Sequence, residues 1–469
     1  MNAGWASAGL AAVPPGVRAV LEALAGAGVE AVVVGGCVRD LARGAAPNDW
    51  DVAADAPPER LLELFPGAIP TGVAHGTVTV MGDVGGARQE GIEITSYRGD
   101  GPYLDGRHPS SVRFGVPLQD DLARRDFTVN AVAWVPARGA AGVVDPFGGL
   151  ADLDAGVLRA VGDPAVRFAE DGLRTMRAAR LAATLGLRLD DATRLALRGA
   201  RGVLARVAWE RRRDELEKLL GAPQPSVGLR LLEESDLIEE IIPELREGVG
   251  CLQNRWHALD VWDHTLAVVD AAPPRPLVRW AALLHDVAKP RCRALHPDTG
   301  EVTFYNHEVV GEAMAAAALD RLHAAAALRD EVAALVRHHL VRYEPSFSDA
   351  AVRRFVARVG RARLPDLFDL AHADNEGKGR PEAAQAGHAL LDELAARIAA
   401  LDRPGAATTV AELALRGDEV MRLLGVGPGP HVGEALRAML EAVLDDPARN
   451  TPGALAALLA DWWRRRAAT

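Results

Sequence analysis

Lysine is nearly missing from this chain. Only Lys218, Lys289 and Lys378 occur, so arginine supplies almost all of the 53 basic side chains. Cysteine is as scarce. Cys37, Cys251 and Cys292 are odd in number, far apart and outside any metal-ligand spacing. That excludes a disulfide framework and fits free thiols in a reducing compartment. No apolar run is long and charge-free enough to span a bilayer, so no membrane segment is expected. The stretch from Met1 to Val13 is apolar but lacks a basic lead, so a secretory signal is not expected and a cytoplasmic location is. Positive charge is short overall, with a net charge of −11, which opposes broad non-specific binding to nucleic acid. The balance reverses locally: residues 151–213 hold thirteen Arg against eight Asp plus Glu. Such a stripe on an acidic protein can still follow a phosphate backbone.

What is present is a globular composition, 49% hydrophobic and 25% charged over 469 residues. At roughly 100–200 residues per domain, two to four units are expected. Residues 17–135 read as mixed α/β. Val17 to Ala27 has a helical pattern, and Ala31 to Val34 is a short buried strand. Strand-like runs follow at Val78 to Met81, Gly91 to Ser96 and Val129 to Val135. After about Asp145 the texture changes to Ala/Leu/Arg segments at helical period, broken at Pro223, Pro273-Pro274 and Pro297 to Gly300. Glu312 to Val336 reads as a helical pair. The expected class is α+β: a small α/β head followed by all-helical regions.

Two constellations carry chemistry. In the first, Gly35-Gly36 follows the buried strand and a helix bearing Arg39 and Asp40 follows the glycines. Glycines there let backbone N–H groups approach a polyphosphate, although a plain tight turn has the same sequence. Asp49 and Asp51 then stand at i and i+2. On a strand that spacing puts both carboxylates on one face, where they repel unless a cation joins them, and Mg²⁺ suits oxygen ligands. An isolated Asp-x-Asp is ordinarily a solvated strand edge; the upstream glycines favour the metal reading. Glu93, on an alternating strand, is either a third carboxylate on that face or an ordinary exposed residue. In residues 124–130, Arg124 and Arg125 suit phosphate, and Asp126 and Asn130 can bond a ribose. Asp171 and Arg174 stand at i and i+3; on one helix they share a face and can address a base edge. In the second constellation, His264, His285-Asp286, His307, His338-His339 and Asp374 form a series. His285-Asp286 closes an apolar helix, so the pair is buried and needs partners. Imidazoles and carboxylates converging from several helices make a site for Mn, Fe, Ni, Zn or Mg. Either His338 or His339 faces inward, and Lys289 either meets a phosphate or caps its helix.

The first set resembles the head of the class II tRNA nucleotidyltransferase and bacterial poly(A) polymerase family. Gly35-Gly36, Arg39-Asp40 and Asp49-Trp50-Asp51 match its head motif. Residues 71–77, 124–130, 145–149, 170–174 and 206–218 resemble further blocks in order: a loop, a nucleotide-binding motif, the link out of the head, a base-reading motif and its supporting helix. The second set resembles the HD phosphohydrolase superfamily over roughly residues 256–380. The glycine-rich residues 416–433 resemble the tail of HD-bearing members, as an RNA grip or an interhelical turn. The resemblance implies a head at 1–150, a helical neck at 151–220, a body or linker at 221–255, the HD domain at 256–380 and a helical C-terminal region at 381–469.

It also implies catalytic Asp49 and Asp51 holding Mg²⁺. Gly35, Gly36, Arg39, Arg125, Asp126, Asn130, Asp171, Arg174 and Arg177 are then the nucleotide-binding residues. His264, His285, Asp286 and Asp374 are the implied ligands of a divalent metal (Mn, Ni or Mg) in the HD site, with His307, His338 and His339 for a second metal. The implied activity is template-independent addition of CCA to the tRNA 3′ end from CTP and ATP, with an HD phosphatase or 2′,3′-cyclic phosphodiesterase activity. Alternatives are a poly(A), CC-only or A-only product, an HD phosphohydrolase with an RNA-binding head, or a non-enzymatic RNA-binding or nucleotide-sensing module. Residues 98–107 resemble the flexible loop of CCA- and A-adding enzymes, which argues against a CC-only product. The intact carboxylates argue against the last two readings.

Overall fold

A computed structural model describes residues 3–73, 76–83, 89–101, 110–402 and 406–467. The loop resemblance at 98–107 falls largely outside them, and that at 71–77 partly. The chain divides into two compact units, Met1–Pro243 and Glu244–Thr469. The segment expected as one linker, 221–255, is thereby cut near its middle. Among the described residues no single helix is long and apolar enough to cross a membrane.

The first unit is built on a sheet of seven strands: β1 (Ala31–Val34), β2 (Asp51–Ala54), β3 (Ile69–Gly72), β4 (Thr77–Asp83), β5 (Gln89–Ser96), β8 (Ala133–Trp134) and β9 (Val143–Val144). A separate hairpin pairs β6 (Arg98–Asp100) with β7 (Val112–Phe114). The large sheet runs β3-β4-β5-β2-β1-β8-β9. Its one parallel pair, β2 with β5, sets Asp51 opposite Glu93 and Val52 opposite Ile94. Val33, Val52, Ile94 and Trp134 pack into a core with the helix Pro15–Gly26. Val32, Val34 and Ala53 enter a second core with Tyr97 and Leu122. A sheet covered on both faces explains why β1 is Ala followed by an unbroken run of Val.

The strand expected at Val129 to Val135 is not one strand. Thr128–Asn130 is a 3₁₀ turn, and only Ala133–Trp134 pairs into the sheet. Asn130 N–H bonds the Phe127 carbonyl (2.9 Å) and Ala131 N–H the Thr128 carbonyl (2.9 Å), so the backbone is satisfied locally. The β-branched residues serve the core and not a ladder. Beyond the sheet, Leu173–Leu185 packs against Trp209–Leu220 and Pro225–Glu234.

The second unit is helical, apart from a small hairpin at Ala294–Leu295 and Val302–Thr303. Val261–Ala271, Pro276–Leu284, Ala326–His338 and Leu364–Gly377 pack on one another, and His307–Arg321 packs on Ala326–His338. The expected helical pair is therefore present. The glycine-rich residues after Leu424 form the turn between helices Gly417–Leu424 and Pro430–Asp445.

Candidate functional site

Asp51 is the first residue of β2, and Asp49 lies in the bend before it, not on the strand. The shared strand face argued from spacing therefore holds for Asp51 and Glu93, through cross-strand register, and not for Asp49 and Asp51. All three carboxylates line one cavity of about 530 Å³. Burial pushes the Asp51 carboxyl above its usual value and Asp49 adds to this, against the pull of Arg125 and Arg177. Glu93 is raised by burial and then by Asp51 and Asp49. Three carboxylates on one cavity, with Asp51 and Glu93 raised by burial and by their neighbours and with oxygen donors only, fit a hard divalent cation such as Mg²⁺.

A neighbouring cavity of about 560 Å³ carries the cationic side. Gly35, Arg39, Arg125, Asp126, Arg174 and Arg177 line it with Asp51 and Glu93. Gly35 has φ 82°, and a Cβ there would stand 2.9 Å from Arg125 Nη1 and 3.7 Å from Asp51 Oδ2. Only glycine lets Arg125 lie across the turn beside the carboxylate. One network joins strand end to neck. Arg39 Nη1 donates to Asn130 Oδ1 (2.6 Å), and Asn130 Nδ2 donates to Asp126 Oδ1 (3.1 Å). Arg177 Nε donates to Asp126 Oδ2 (2.7 Å). Burial works to raise the Asp126 pKa, but Arg177 and Asn130 outweigh it and bring it to about 2. Both Asp126 oxygens thus have internal partners, and its carboxylate orders Asn130 and Arg177.

Asp171 and Arg174 do not share a helix. The helix Pro164–Glu170 ends at Asp171, whose backbone is extended (φ −147°, ψ 111°). Asp171 Oδ1 accepts from Leu173 N–H (3.0 Å) at the start of the next helix, Leu173–Leu185. An Asp-Gly before an apolar run is a helix-start signal, so the break was readable. Asp171 is also gripped by Arg211, at 2.8 Å from Nη2 to Oδ2 and 3.3 Å from Nη1 to Oδ1. Arg174 bonds Glu170 and the carbonyls of Arg167 and Arg124. Sequence reasoning missed Arg211, which sits forty residues from its partner on another helix. It also held Glu93 open.

In the second unit, four imidazoles point Nε2 at one carboxylate. Nε2 of His264 and of His285 lie 3.3 and 3.1 Å from Asp286 Oδ2. Those of His307 and His339 lie 3.4 and 3.6 Å from Asp286 Oδ1. Asp374 Oδ1 is 3.1 Å from His264 Nε2. Each ring turns Nδ1 to a backbone carbonyl: Gly377 (2.9 Å), Ala282 (2.8 Å), Phe304 (2.6 Å) and Val336 (2.7 Å) in the same order. Nδ1–H donation leaves the Nε2 lone pairs facing inward, as metal ligation requires. For His285 and His339 the carbonyl is three residues back, because each follows the last turn of a helix.

His338 is not part of the cluster. It groups with Arg358, Arg337 and Arg363, so His339 is the inward member of the pair. Asp286 is 1% exposed and ion-paired to Lys289 (2.6 Å), yet neither of its oxygens accepts a well-formed hydrogen bond. Such a bridging acceptor fits two divalent cations, one toward His264, His285 and Asp374 and one toward His307 and His339. Burial works to lower the His264 pKa, but Asp286 and Asp374 outweigh it and raise it to about 9; the centre attracts positive charge. His257, seven residues before His264, adds an imidazole at the edge, its ring 4.9 Å from that of His264. Burial, Lys289 and His264 lower its pKa to about 3, so it is neutral.

A poly A polymerase head domain matches residues 31–159, a probable RNA and SrmB-binding site of polymerase A matches 186–248, and an HD domain matches 257–376. The A-adding tRNA nucleotidyltransferase of Deinococcus radiodurans is 40% identical over 424 residues, covering 88% of this chain and 91% of that one. The chain belongs to the tRNA nucleotidyltransferase and poly(A) polymerase family. It is a nucleotidyltransferase. The CC-adding tRNA nucleotidyltransferase of Thermus thermophilus is 36% identical over 463 residues (93% and 94% covered). The CCA-adding enzyme of Geobacillus thermodenitrificans is 34% identical over 433 residues (90% and 91%). Among solved structures, the CCA-adding enzyme of Bacillus stearothermophilus in complex with CTP superposes with a TM-score of 0.71 at 27% identity, covering 96% of this chain and 97% of that one.

Proposed function

We propose that this nucleotidyltransferase completes the tRNA 3′ end without a template, adding C, C and A from CTP and ATP. The observation that carries the reading is the pair of adjoining cavities in the first unit that share Asp51 and Glu93. Asp49 completes the carboxylates in one, and Arg125, Arg174, Arg177 and Asp171 line the other. Asp49 and Asp51, joined by Glu93, are the residues that would hold Mg²⁺. Bound there, the ion would supply Lewis-acid activation of the primer 3′-OH and charge for the departing pyrophosphate. Arg39 and Arg125, beside the Gly35 turn, hold phosphates, and Asn130 meets the sugar. Asp171, aimed by Arg211, and Arg174 read the base edge. A second reading, addition of the terminal A alone, is favoured by the A-adding relative at 40% identity. Labelled CTP and ATP offered to tRNA ending in the discriminator base, in C or in CC separate the two. Full addition requires C incorporation into the first two substrates, and A incorporation into CC-ended tRNA alone establishes the second reading.

The second unit is assigned a metal-dependent phosphohydrolase activity on a phosphate ester or 2′,3′-cyclic phosphate. The complete set His264, His285, Asp286, His307, His339 and Asp374 supports it. A damaged end carrying a phosphate cannot be extended until a 3′-OH is freed, which gives the two centres a common substrate.

A further inference from the structure

Two histidines outside the histidine–aspartate centre meet across a helix pair. His372 lies on Leu364–Gly377 and His388 on the helix Pro381–Leu401, which packs against it after the turn at 378–380. Their Nδ1 atoms are 2.7 Å apart. Each has a carboxylate one turn on along its own helix, Glu376 and Asp392, so two i, i+4 pairs face each other. The contacts cross over. His388 Nε2 lies 2.7 Å from Glu376 Oε1 on the other helix, and His372 Nε2 lies 3.5 Å from Asp392 Oδ1. Ala384 and Leu391, one turn before and after His388, are buried, which fixes the face that this helix turns inward. Gly387 makes room beside the pair: a Cβ there would stand 2.6 Å from Asn375 Nδ2.

The ring hydrogens decide what this arrangement can hold. A carboxylate oxygen accepts, so His388 donates through Nε2–H to Glu376, and Asp392 draws the Nε2–H of His372 the same way. The two Nδ1 lone pairs are left to face each other, and they repel unless a cation, a proton or a metal ion, joins them. Imidazoles held through Nε2–H by carboxylates with the other nitrogen free are the pattern of metal-ligating histidine. An ion about 2.0–2.1 Å from both nitrogens sets them about 2.8–3.0 Å apart at a right angle and about 3.3–3.4 Å apart in a tetrahedron. The observed spacing is nearest the right angle, which Cu²⁺ and Ni²⁺ favour. The ring planes differ by 25° with centroids 4.9 Å apart, so the edges meet nearly head-on and each ring must tilt to turn its lone pair onto a shared ion. Their side chains, 33% and 25% exposed, have the freedom to do so and leave water to complete the coordination.

We propose that His372 and His388 form a metal site of their own for one Cu²⁺ or Ni²⁺ ion, with Glu376 and Asp392 as the outer carboxylates. The site shares no residue with the histidine–aspartate centre, and His388 and Asp392 lie beyond the HD domain at 257–376. The ion clips Pro381–Leu401 to the helix that carries Asp374, two residues past His372, and so stabilises the helix pair. Two nitrogens and water hold an ion less tightly than the larger centre does, so this site fills from added metal and empties on dialysis.

Calorimetric titration of the full chain carrying His285→Ala and Asp286→Ala, in which the larger centre is disabled, tests this with Cu²⁺, Ni²⁺ and Mg²⁺ alone as probes. That protein is expected to bind one more Cu²⁺ or Ni²⁺ ion than the same protein with His388→Ala added. Mg²⁺ binding should be the same in both. Electron paramagnetic resonance of the Cu²⁺ form should show two imidazole nitrogens, and Glu376→Gln should weaken the affinity about tenfold or more. At about 100 times the dissociation constant the ion should raise the melting temperature by about 5–10 °C, and His388→Ala should abolish that rise. Equal ion binding and equal melting shifts with and without His388 overturn the proposal, and the pair then shares a proton only. A Cu²⁺ signal from one imidazole overturns it as well, since a lone surface histidine gives that. Should the double variant not fold, wild type and His388→Ala are titrated directly, and the same difference of one ion decides.

Discussion

Glu93 shows most directly what a single residue contributes here. It stands opposite Asp51 with Asp49 close by, and burial and mutual repulsion make the charges on Asp51 and Glu93 costly. Removing one negative charge should then help the fold while harming the chemistry. Asp51→Asn, without added divalent ions, is expected to melt about 2–4 °C above wild type, as roughly 1 kcal/mol of relieved repulsion would give in a unit of this size, and Glu93→Gln by less, because Glu93 is exposed and water screens its charge. Mg²⁺ should raise the melting point of wild type more than that of either variant. Asp49→Ala and Asp51→Ala should lose nucleotide transfer by about 10³-fold or more while remaining folded, measured as label incorporated into tRNA. Normal turnover by either folded variant removes the assignment. Arg211 leads to a different expectation. It holds Asp171 in two hydrogen bonds, so Arg211→Met should leave the carboxylate unaimed. Discrimination between CTP or ATP and the other triphosphates should drop about 5- to 150-fold, the equivalent of 1–3 kcal/mol for a lost buried polar contact. Arg211→Lys should restore only part, because lysine lacks the planar fork. Unchanged selectivity in Arg211→Met would mean that the pair only braces the neck.

At the level of elements, the sequence told most where local signals and core packing agree. β1 and the helical pair around Glu312 to Val336 were readable because apolar period and punctuation point the same way. The run at 129–135 misled because β-branched residues were placed by the core while the backbone turned through local hydrogen bonds. His339 could not be told from His338, since adjacent residues at the end of a helix differ by about 100° of rotation and only packing chooses. Arg211 was hidden for another reason: its partner comes from the contact of two helices. Both of those helices also pack against a third, Pro225–Glu234, at Gly228, where a Cβ would stand 2.6 Å from the Ala179 carbonyl oxygen and 2.5 Å from Leu219 Cδ1. Gly228→Val should therefore push Pro225–Glu234 away from the helix that follows Asp171. A loss of about 1–3 kcal/mol in chemical denaturation is expected, together with relaxed nucleotide selection. Full stability in that variant would show that the two helices tolerate separation.

For the whole molecule, sheet order was beyond sequence reasoning, because the β2–β5 pairing joins residues 51 and 93 across two intervening strands and a helix. The two chemical sets were legible all the same, because each carries its own residue types: carboxylates with arginine in one, imidazoles with carboxylates in the other. They also fall in separate compact units, Met1–Pro243 and Glu244–Thr469. Two centres with their own cores and their own ligands should fail independently. His285→Ala combined with Asp286→Ala removes an inward imidazole and the carboxylate that all four rings face. That variant is expected to lose bound transition metal, measured by elemental analysis of the purified protein, and to lose hydrolysis of 2′,3′-cyclic AMP or p-nitrophenyl phosphate. It should add nucleotides to tRNA at the wild-type rate. Asp51→Ala should show the reverse pattern, with metal and hydrolysis kept and nucleotide addition gone. The buried ionised Asp286 makes the direction of the first result firm in physical terms. Its charge is tolerated in the core only with cations around it, so removing the carboxylate takes away what draws a metal there, while the neutral imidazoles that remain hold one far less tightly. Loss of nucleotide addition in the His285→Ala, Asp286→Ala protein would mean that the first unit depends on the second. Wild-type protein that holds no metal and stays hydrolytically inert when Mn²⁺, Ni²⁺ or Mg²⁺ is supplied would reduce the histidine centre to a scaffold.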